Sequence, residues 1–267
     1  PEDKSKGGNG IYIFKKFGSM GLITYLQTFS EGVPIIRHDG NVVLLGGGGN
    51  IIGILPGTEW NSSRDKPLVI GAHWDSVEET SGYDDNASGI SGLIEIASVL
   101  TTASCYQNKY SVIFVAFDSE EGGCYGSYEF IRSYLKPFYL DAGIHLSGAL
   151  ILDTIGNFDD GVGTQNIPRN WETLAPEVVK KIIANGRRGD FISLEDRLGE
   201  AFNRHNARLD STFPRLHHIQ LDLSEKFPDL ETLTNHSTFL MSDHSRFWYY
   251  RENGTELSLP GALLTDT

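Results

Sequence analysis

Histidines and carboxylates recur in this chain just past the ends of short apolar runs, a setting suited to hydrolytic metal chemistry. His73 closes Gly71-Ala72-His73-Trp74-Asp75-Ser76, and Glu120 and Glu121 sit in Phe117-Asp118-Ser119-Glu120-Glu121-Gly122-Gly123. Asp153 follows in Leu152-Asp153-Thr154-Ile155-Gly156, and His244 comes late, in Ser242-Asp243-His244-Ser245. Between the first two lies Gly82-Tyr83-Asp84-Asp85-Asn86-Ala87-Ser88-Gly89. Imidazole nitrogen and carboxylate oxygen suit zinc, at roughly 2.0–2.2 Å. Two dications about 3.5–4 Å apart repel each other and need a shared anion. Asp84, on a tight turn ahead of a helix, is the expected bridge. Asp85 then supports the turn or a neighbouring ligand. Asp75, two residues after His73, is placed to accept the other ring N–H and fix the tautomer. Glu120 and Glu121 are adjacent at a loop tip, so their side chains diverge. One can bind metal while the other takes a proton from water acidified by the metal.

These residues need elements that bring them to one edge. Pro67–Ala72, Ser111–Phe117 and Leu146–Leu152 read as apolar strands of the kind buried on both faces. Ser88–Leu100 and Gly126–Tyr134 read as the helices between them. Strand alternating with helix predicts an α/β fold: a three-layer sandwich whose central, mixed but mostly parallel sheet carries helices on both faces. In such sheets, sites form beyond the C-terminal ends of the strands. A helix is expected over residues 11–30. Asn41–Leu45 and Asn50–Leu55 read as strands joined by a hairpin turn at Gly46–Gly49. No Gly-Lys-Ser/Thr follows those glycines and a strand comes next, so a phosphate cradle is not favoured. Glu177–Ala184 and Leu194–Leu209 read as helices, and Leu259–Thr265 as a last strand. No repeat or composition break divides the chain, so residues 1–267 are read as one domain. Residues 1–10 are expected to be disordered, and both ends look truncated.

The formal net charge of −13 argues against a nucleic-acid partner, whose phosphates attract Lys and Arg. No apolar run is long enough to predict a membrane span. The two cysteines, Cys105 and Cys124, flank a strand about 20 Å long and are expected to be free thiols. Asn-x-Ser/Thr sequons at Asn61, Asn86, Asn235 and Asn253 hint at secretion, which makes an extracellular or secretory location the expectation. Asn86 lies inside the expected site and is read as unglycosylated. His145, His205, His217, His218 and His236 are read as structural, and Glu78-Glu79 and Asp159-Asp160 as solvated loops. Trp248, Tyr249 and Tyr250 are read either as a pocket wall near His244 or as a buried aromatic cluster.

From Val69 to Ile155 the sequence resembles the zinc aminopeptidases of the M28 peptidase family. The pattern is His-x-Asp-Ser (His73–Ser76), Asp-Asp-x-x-Ser-Gly (Asp84–Gly89), Glu-Glu-x-Gly-x-x-Gly-Ser (Glu120–Ser127), Leu-Asp-x-x-Gly (Leu152–Gly156) and Ser-Asp-His (Ser242–His244). The resemblance implies a zinc-exopeptidase-like fold and two Zn2+ ions per chain. His73 and Asp153 would hold one ion, Glu121 and His244 the other, and Asp84 would bridge them. Glu120 would be the general base, and the Asp84–Asp85 peptide bond would be cis. Two places depart from the family pattern. Arg246 stands where a small residue or proline is common, and Cys124 and Tyr125 stand where apolar residues are usual.

The function expected from this pattern is hydrolysis of N-terminal residues from peptides. A carboxypeptidase or dipeptidase on the same scaffold, a one-zinc glutaminyl cyclase and an inactive ectodomain-type binding module are the alternatives. Cyclases replace the second Asp of the turn with Ser, and the Asp84-Asp85 pair here favours the peptidase. A dead module would lack ligands that this chain retains. No motif bears on oligomeric state.

Overall fold

The computed structural model describes residues 4–29, 34–36, 42–44, 47–103, 107–197, 215–223 and 227–266. The chain begins with α1 (Lys4–Ser19), β1 (Ile23–Phe29), β2 (Pro34–Ile36), β3 (Val42–Leu44), β4 (Gly48–Leu55) and β5 (Leu68–His73). There follow α2 (Ala87–Thr102), β6 (Val112–Phe117), α3 (Tyr125–Phe130), a more widely wound turn over Ile131–Leu135, α4 (Lys136–Phe138) and β7 (Gly148–Leu152). The distal part holds α5 (Trp171–Leu174), α6 (Pro176–Ala184), β8 (Ile192–Arg197), β9 (Leu216–Leu221), α7 (Leu230–Asn235) and α8 (His244–Trp248). A small hairpin of β10 (Tyr250–Glu252) and β11 (Thr255–Leu257) precedes β12 (Gly261–Thr265).

Eight strands form one sheet in the order β1-β4-β6-β5-β7-β12-β8-β9. Its centre, β6-β5-β7-β12, is parallel throughout. β4 pairs antiparallel with β6, β1 with β4, and β8 with β12, while β8 and β9 run parallel. β6 is rich in β-branched and aromatic residues, and every one of its residues is buried. Side chains alternate in β6, so one strand feeds two cores. Ile113, Val115 and Phe117 pack with Phe130, Ile131 and Phe247 on the α3–α8 face. Phe114 and Ala116 pack with Ile13, Phe17, Leu93 and Ala97 of α1 and α2 on the other. Each fully buried aliphatic or aromatic side chain of this kind contributes about 1.5–3 kcal/mol. Helix, sheet and helix make the expected three-layer α/β fold. Among the described residues no helix is long and apolar enough to cross a membrane.

Several expected elements differ. Disorder was expected over 1–10, yet α1 begins at Lys4, because Ile13 and Phe17 anchor the helix against the sheet. The helix expected over 11–30 ends at Ser19, and its second half is instead β1, drawn into the sheet by β4. The hairpin expected across Gly46–Gly49 does not form. β3 pairs with β2, and Gly48 and Gly49 enter β4 opposite Phe29 and Thr28. A side chain at Gly48 would meet the Phe29 ring at 2.6 Å.

The helix expected over Leu194–Leu209 starts instead as strand β8; residues 198–214 lie outside the described set. Its polar residues are buried by partners: His218 Nε2 lies 2.9 Å from Asp196 Oδ1, and Arg197 donates to Ser258 Oγ and the Leu259 carbonyl at 3.0 and 3.2 Å. Tertiary pairing overrides local propensity here. Cys124 is free, as expected, while Cys105 lies outside the described residues.

Glu195 in β8 is buried, and burial pushes its pKa up to about 8, against a hydrogen bond from Ser193 that lowers it. The folded state therefore favours the neutral acid. That contribution is complete below the ordinary glutamate pKa and is lost as pH rises through about 8. Stability should fall between pH 5 and pH 9 by a few kcal/mol, about 1.4 per pH unit. Glu195→Gln should flatten this slope in denaturant unfolding at pH 5, 7 and 9; an unchanged slope would reject the assignment.

Candidate active site

β5, β6 and β7 end together, because their registers pair His73 with Phe117 and Gly71 with Ile151. His73 is the last residue of β5, and Asp153 follows β7 directly. Asp85 lies on the turn that opens α2. Its Oδ1 is 3.1 Å from His73 Nε2, and Asp153 Oδ1 is 3.2 Å from the same nitrogen. Donor atoms of His73, Asp85 and Asp153 all lie within 4.8 Å of one another. Tetrahedral ligands about 2.1 Å from zinc stand roughly 3.4 Å apart, so this spacing fits the ion.

The electrostatics agree. Burial works against a charged His73 ring, but Asp153, Asp75 and Asp85 outweigh it and drive its pKa up. A single imidazole ringed by three carboxylates is a place where positive charge is held.

Asp84, expected as the bridge, does not face His73; its neighbour does. Asp84 turns away: its Oδ1 accepts from Gly156 N–H at 2.8 Å, and its carbonyl accepts from Ser88 Oγ at 2.7 Å. Asp85, expected as a support, is the one facing His73. The cis peptide expected at Asp84–Asp85 is found one bond later, at Asp85–Asn86. Both shifts are a one-residue change of register within the same motif. The Asp-Asp pair could not reveal it, since both residues have the same chemistry.

Asn86 is the residue that sequence reasoning missed. It is buried; its Oδ1 accepts from Gly89 N–H at 2.9 Å, capping α2, and from Thr154 N–H at 3.2 Å. Its Nδ2 donates to the Leu152 carbonyl at 2.9 Å. This one amide thus ties the Asp85 turn to the strand end that carries Asp153. Gly89 lets them meet, since a Cβ there would lie 2.5 Å from the Leu152 carbonyl.

Asp75 also differs in detail. His73 Nδ1 is 3.1 Å from the Asp75 carbonyl and 3.6 Å from its carboxylate. The carboxylate mainly takes the N–H groups of Glu120 and Glu121, at 3.1 and 3.3 Å. It braces the loop that carries the two glutamates. Asn50 and Asp118 brace it from below: Asn50 accepts from Asp118 N–H and donates to the Gly126 carbonyl. A side chain at Gly126 would meet the Asp118 carbonyl at 2.2 Å, so only glycine fits.

The two glutamates diverge as expected. Glu121 is exposed and accepts from Val77 N–H at 3.1 Å. Glu120 is buried, and burial first, then the charge of Asp243, lift its pKa to about 9. The charge of Asp153 also raises it and that of His73 lowers it, while the Glu120 N–H is held by the Asp75 carboxylate next to His73. Neighbouring positive charge favours its ionised form.

Glu121 and His244 lie outside the three-residue cluster. His244 is buried; its Nε2 lies 2.9 Å from the Phe239 carbonyl and must carry the proton. That leaves Nδ1 as a bare lone pair with no hydrogen-bond partner. Burial holds the ring neutral, with a pKa lowered to about 4. A neutral imidazole with one nitrogen anchored on a carbonyl is the form in which histidine binds metal.

Asp243, quoted in the Ser-Asp-His motif but given no role, is fully buried beside it. Neither carboxylate oxygen has a hydrogen-bond partner. Ser127 lies near enough to ease its pKa but spends its own hydrogen on the Cys124 carbonyl at 3.0 Å. Asp266, one residue past β12, accepts from Asn157 N–H at the same edge and is pushed up to about 7, chiefly by burial. The strand-end rule that located the other carboxylates also points to it. Trp248 and Tyr250 are fully buried and pack inside the domain, which leaves the cluster reading and not the pocket wall.

Residues 50–188, just over half of the chain, match the family model described as Peptidase family M28. The chain belongs to peptidase family M28. An uncharacterized protein of Escherichia coli, YfbL, is 30% identical to this M28 member over 219 residues, covering 76% of this chain and 56% of that protein. Leupeptin-inactivating enzyme 1 of Streptomyces exfoliatus is 29% identical over 150 residues, 56% of this chain and 30% of that one. The chain thus spans little more than half the length of these relatives, or less. Among solved structures, a zinc aminopeptidase from Bacillus subtilis superposes with a TM-score of 0.61 at 14% identity, over 98% of this chain and 79% of that one. That likeness establishes the fold.

The register of the turn is open to direct test. Asp85→Asn should lose zinc on dialysis, whereas Asp84→Ala should keep it and lose about 1 kcal/mol of stability with its bond to Gly156. Metal analysis of both variants decides; zinc lost from Asp84→Ala and retained by Asp85→Asn would return the ligand role to Asp84.

Proposed function

We propose that this M28 family member is a metal-dependent exopeptidase that hydrolyses N-terminal residues from peptides with a water activated by two zinc ions. The observation that carries the reading is the convergence of His73, Asp85 and Asp153 on one point, with the Glu120 loop held to the same edge through Asp75. His73 and Asp153 would hold one ion, Glu121 and His244 the other, with Asp85 between them. Bound there, zinc supplies Lewis acidity to the scissile carbonyl and lowers the pKa of the attacking water to about 7.

The chain's own residues supply the rest. Glu120 takes the proton of the water and returns it to the leaving amine, a role general acid–base catalysis rewards by about 10²–10⁴-fold. The Asp75 carboxylate keeps Glu120 and Glu121 fixed through their backbone N–H groups. The Asn86 amide keeps the Asp85 turn and the Asp153 strand end in register. Burial of His73, Glu120 and His244 strengthens the charge interactions on the protein side of the site, while Asp85 and Glu121 stay open to solvent. Three exposed sequons, at Asn61, Asn235 and Asn253, support an extracellular or secretory setting.

Glu120→Gln preserves shape and removes the base. It should retain the wild-type zinc content and lose at least 10²-fold in kcat on aminoacyl arylamides. Wild-type turnover in that variant would remove Glu120 from the chemistry. Metal analysis beside a panel of aminoacyl, C-terminal peptide and N-terminal glutaminyl substrates tests the wider reading. Two zinc ions with aminoacyl turnover support it; one zinc ion with cyclisation of glutaminyl peptides overturns it.

A further inference from the structure

The two places where the sequence departs from the family pattern meet on one loop. Glu120 and Cys124 bound a tight turn in which the Glu120 carbonyl accepts from both Gly123 and Cys124 N–H at 2.7 Å. Cys124 adopts a left-handed conformation, φ 56°, and its side chain folds back under the loop, where it is buried. From there Cys124 Sγ donates to Glu120 Oε1 at 3.3 Å. An apolar residue at 124 offers no such donor. Arg246 lies two residues beyond His244 in α8, and its Nη2 donates to the Gly123 carbonyl at 2.6 Å. The guanidinium therefore ties the helix that carries His244 to the loop that carries Glu120.

We propose that Cys124 and Arg246 act together as positioning residues for the Glu120 carboxylate. The inference rests on the reading of Glu120 as the general base. The thiol occupies Oε1 and so fixes the plane of the carboxylate, leaving Oε2 to face the reactants. Arg246 fixes the peptide that precedes Cys124 and so holds the thiol under its acceptor. A thiol is a weak donor, and its effect is on orientation more than on stability. Orientation matters because a misplacement of about 1 Å in a reacting group costs on the order of 10²-fold in rate.

Three variants of the full chain test this. Cys124→Ala removes the donor and should lower kcat about 10–100-fold with KM and zinc content unchanged. Cys124→Ser restores a donor and should recover most of that loss. Equal activity of wild type and Cys124→Ala, or equal loss in the alanine and serine variants, would overturn the proposal. A second arm needs no turnover. Arg246→Met keeps much of the stem and loses the clamp, so iodoacetamide should alkylate Cys124 faster than in wild type, read by peptide mapping. An unchanged alkylation rate would overturn the clamp whatever the enzyme's activity. Loss of turnover in Glu120→Gln together with unaffected Cys124 variants would sink this inference and leave the base assignment standing.

Discussion

Crowding of negative charge at one sheet edge is the constraint on which the rest of the structure depends. Asp75, Asp85 and Asp153 surround a single imidazole, and Glu120, Asp243 and Asp266 stand nearby with raised pKa values. In a low-dielectric setting, like charges this close cannot all stay ionised without compensation. Part of the compensation comes from backbone N–H groups. Gly156 serves Asp84, Glu120 and Glu121 serve Asp75, and Asn157 serves Asp266. Those donors lie on the outer side of the cluster. On the inner side, where Asp85 and Asp153 face His73, no backbone donor is found among the described residues, and the pair calls for a cation.

The parallel centre of the sheet makes this crowding possible. β5, β6, β7 and β12 all end at the same edge, so His73 at the end of β5 and Asp153 and Asp266 just past β7 and β12 reach one side of the sheet. The two hydrophobic layers hold that edge flat and immobile from both faces. The helical layers add to it: α8 carries His244, and the turn that opens α2 carries Asp85. They also fix four strand ends whose polar tips would otherwise repel one another apart.

Much of this was legible in the sequence because apolar runs and the residues that end them are local signals. β5, β6 and β7 and the placement of His73, Glu120 and Asp153 followed from that rule. What was not legible depended on long-range pairing or on backbone geometry. The sequence around Gly46–Gly49 suggested a hairpin, but β4 pairs with β1 and β6, both distant in sequence. β8 looked helical because its burial comes from His218 and Ser258, which no local pattern reveals. The choice between Asp84 and Asp85 turned on which of two identical side chains faces inward. Asn86 and Asp243 were overlooked because an amide and a carboxylate show their roles only through partners, or through the want of them.

The Asn86 amide has a consequence for biosynthesis. Asn86-Ala87-Ser88 is a glycosylation sequon, and in the folded chain the amide is buried and hydrogen-bonded to Gly89, Thr154 and Leu152. In a compartment that glycosylates nascent chains, this sequon is accessible before folding and hidden after it. A glycan on Nδ2 would occupy the nitrogen that donates to the Leu152 carbonyl and so keep the Asp85 turn from closing on β7. The same closure that assembles the carboxylate cluster thus withdraws the Asn86 nitrogen from modification.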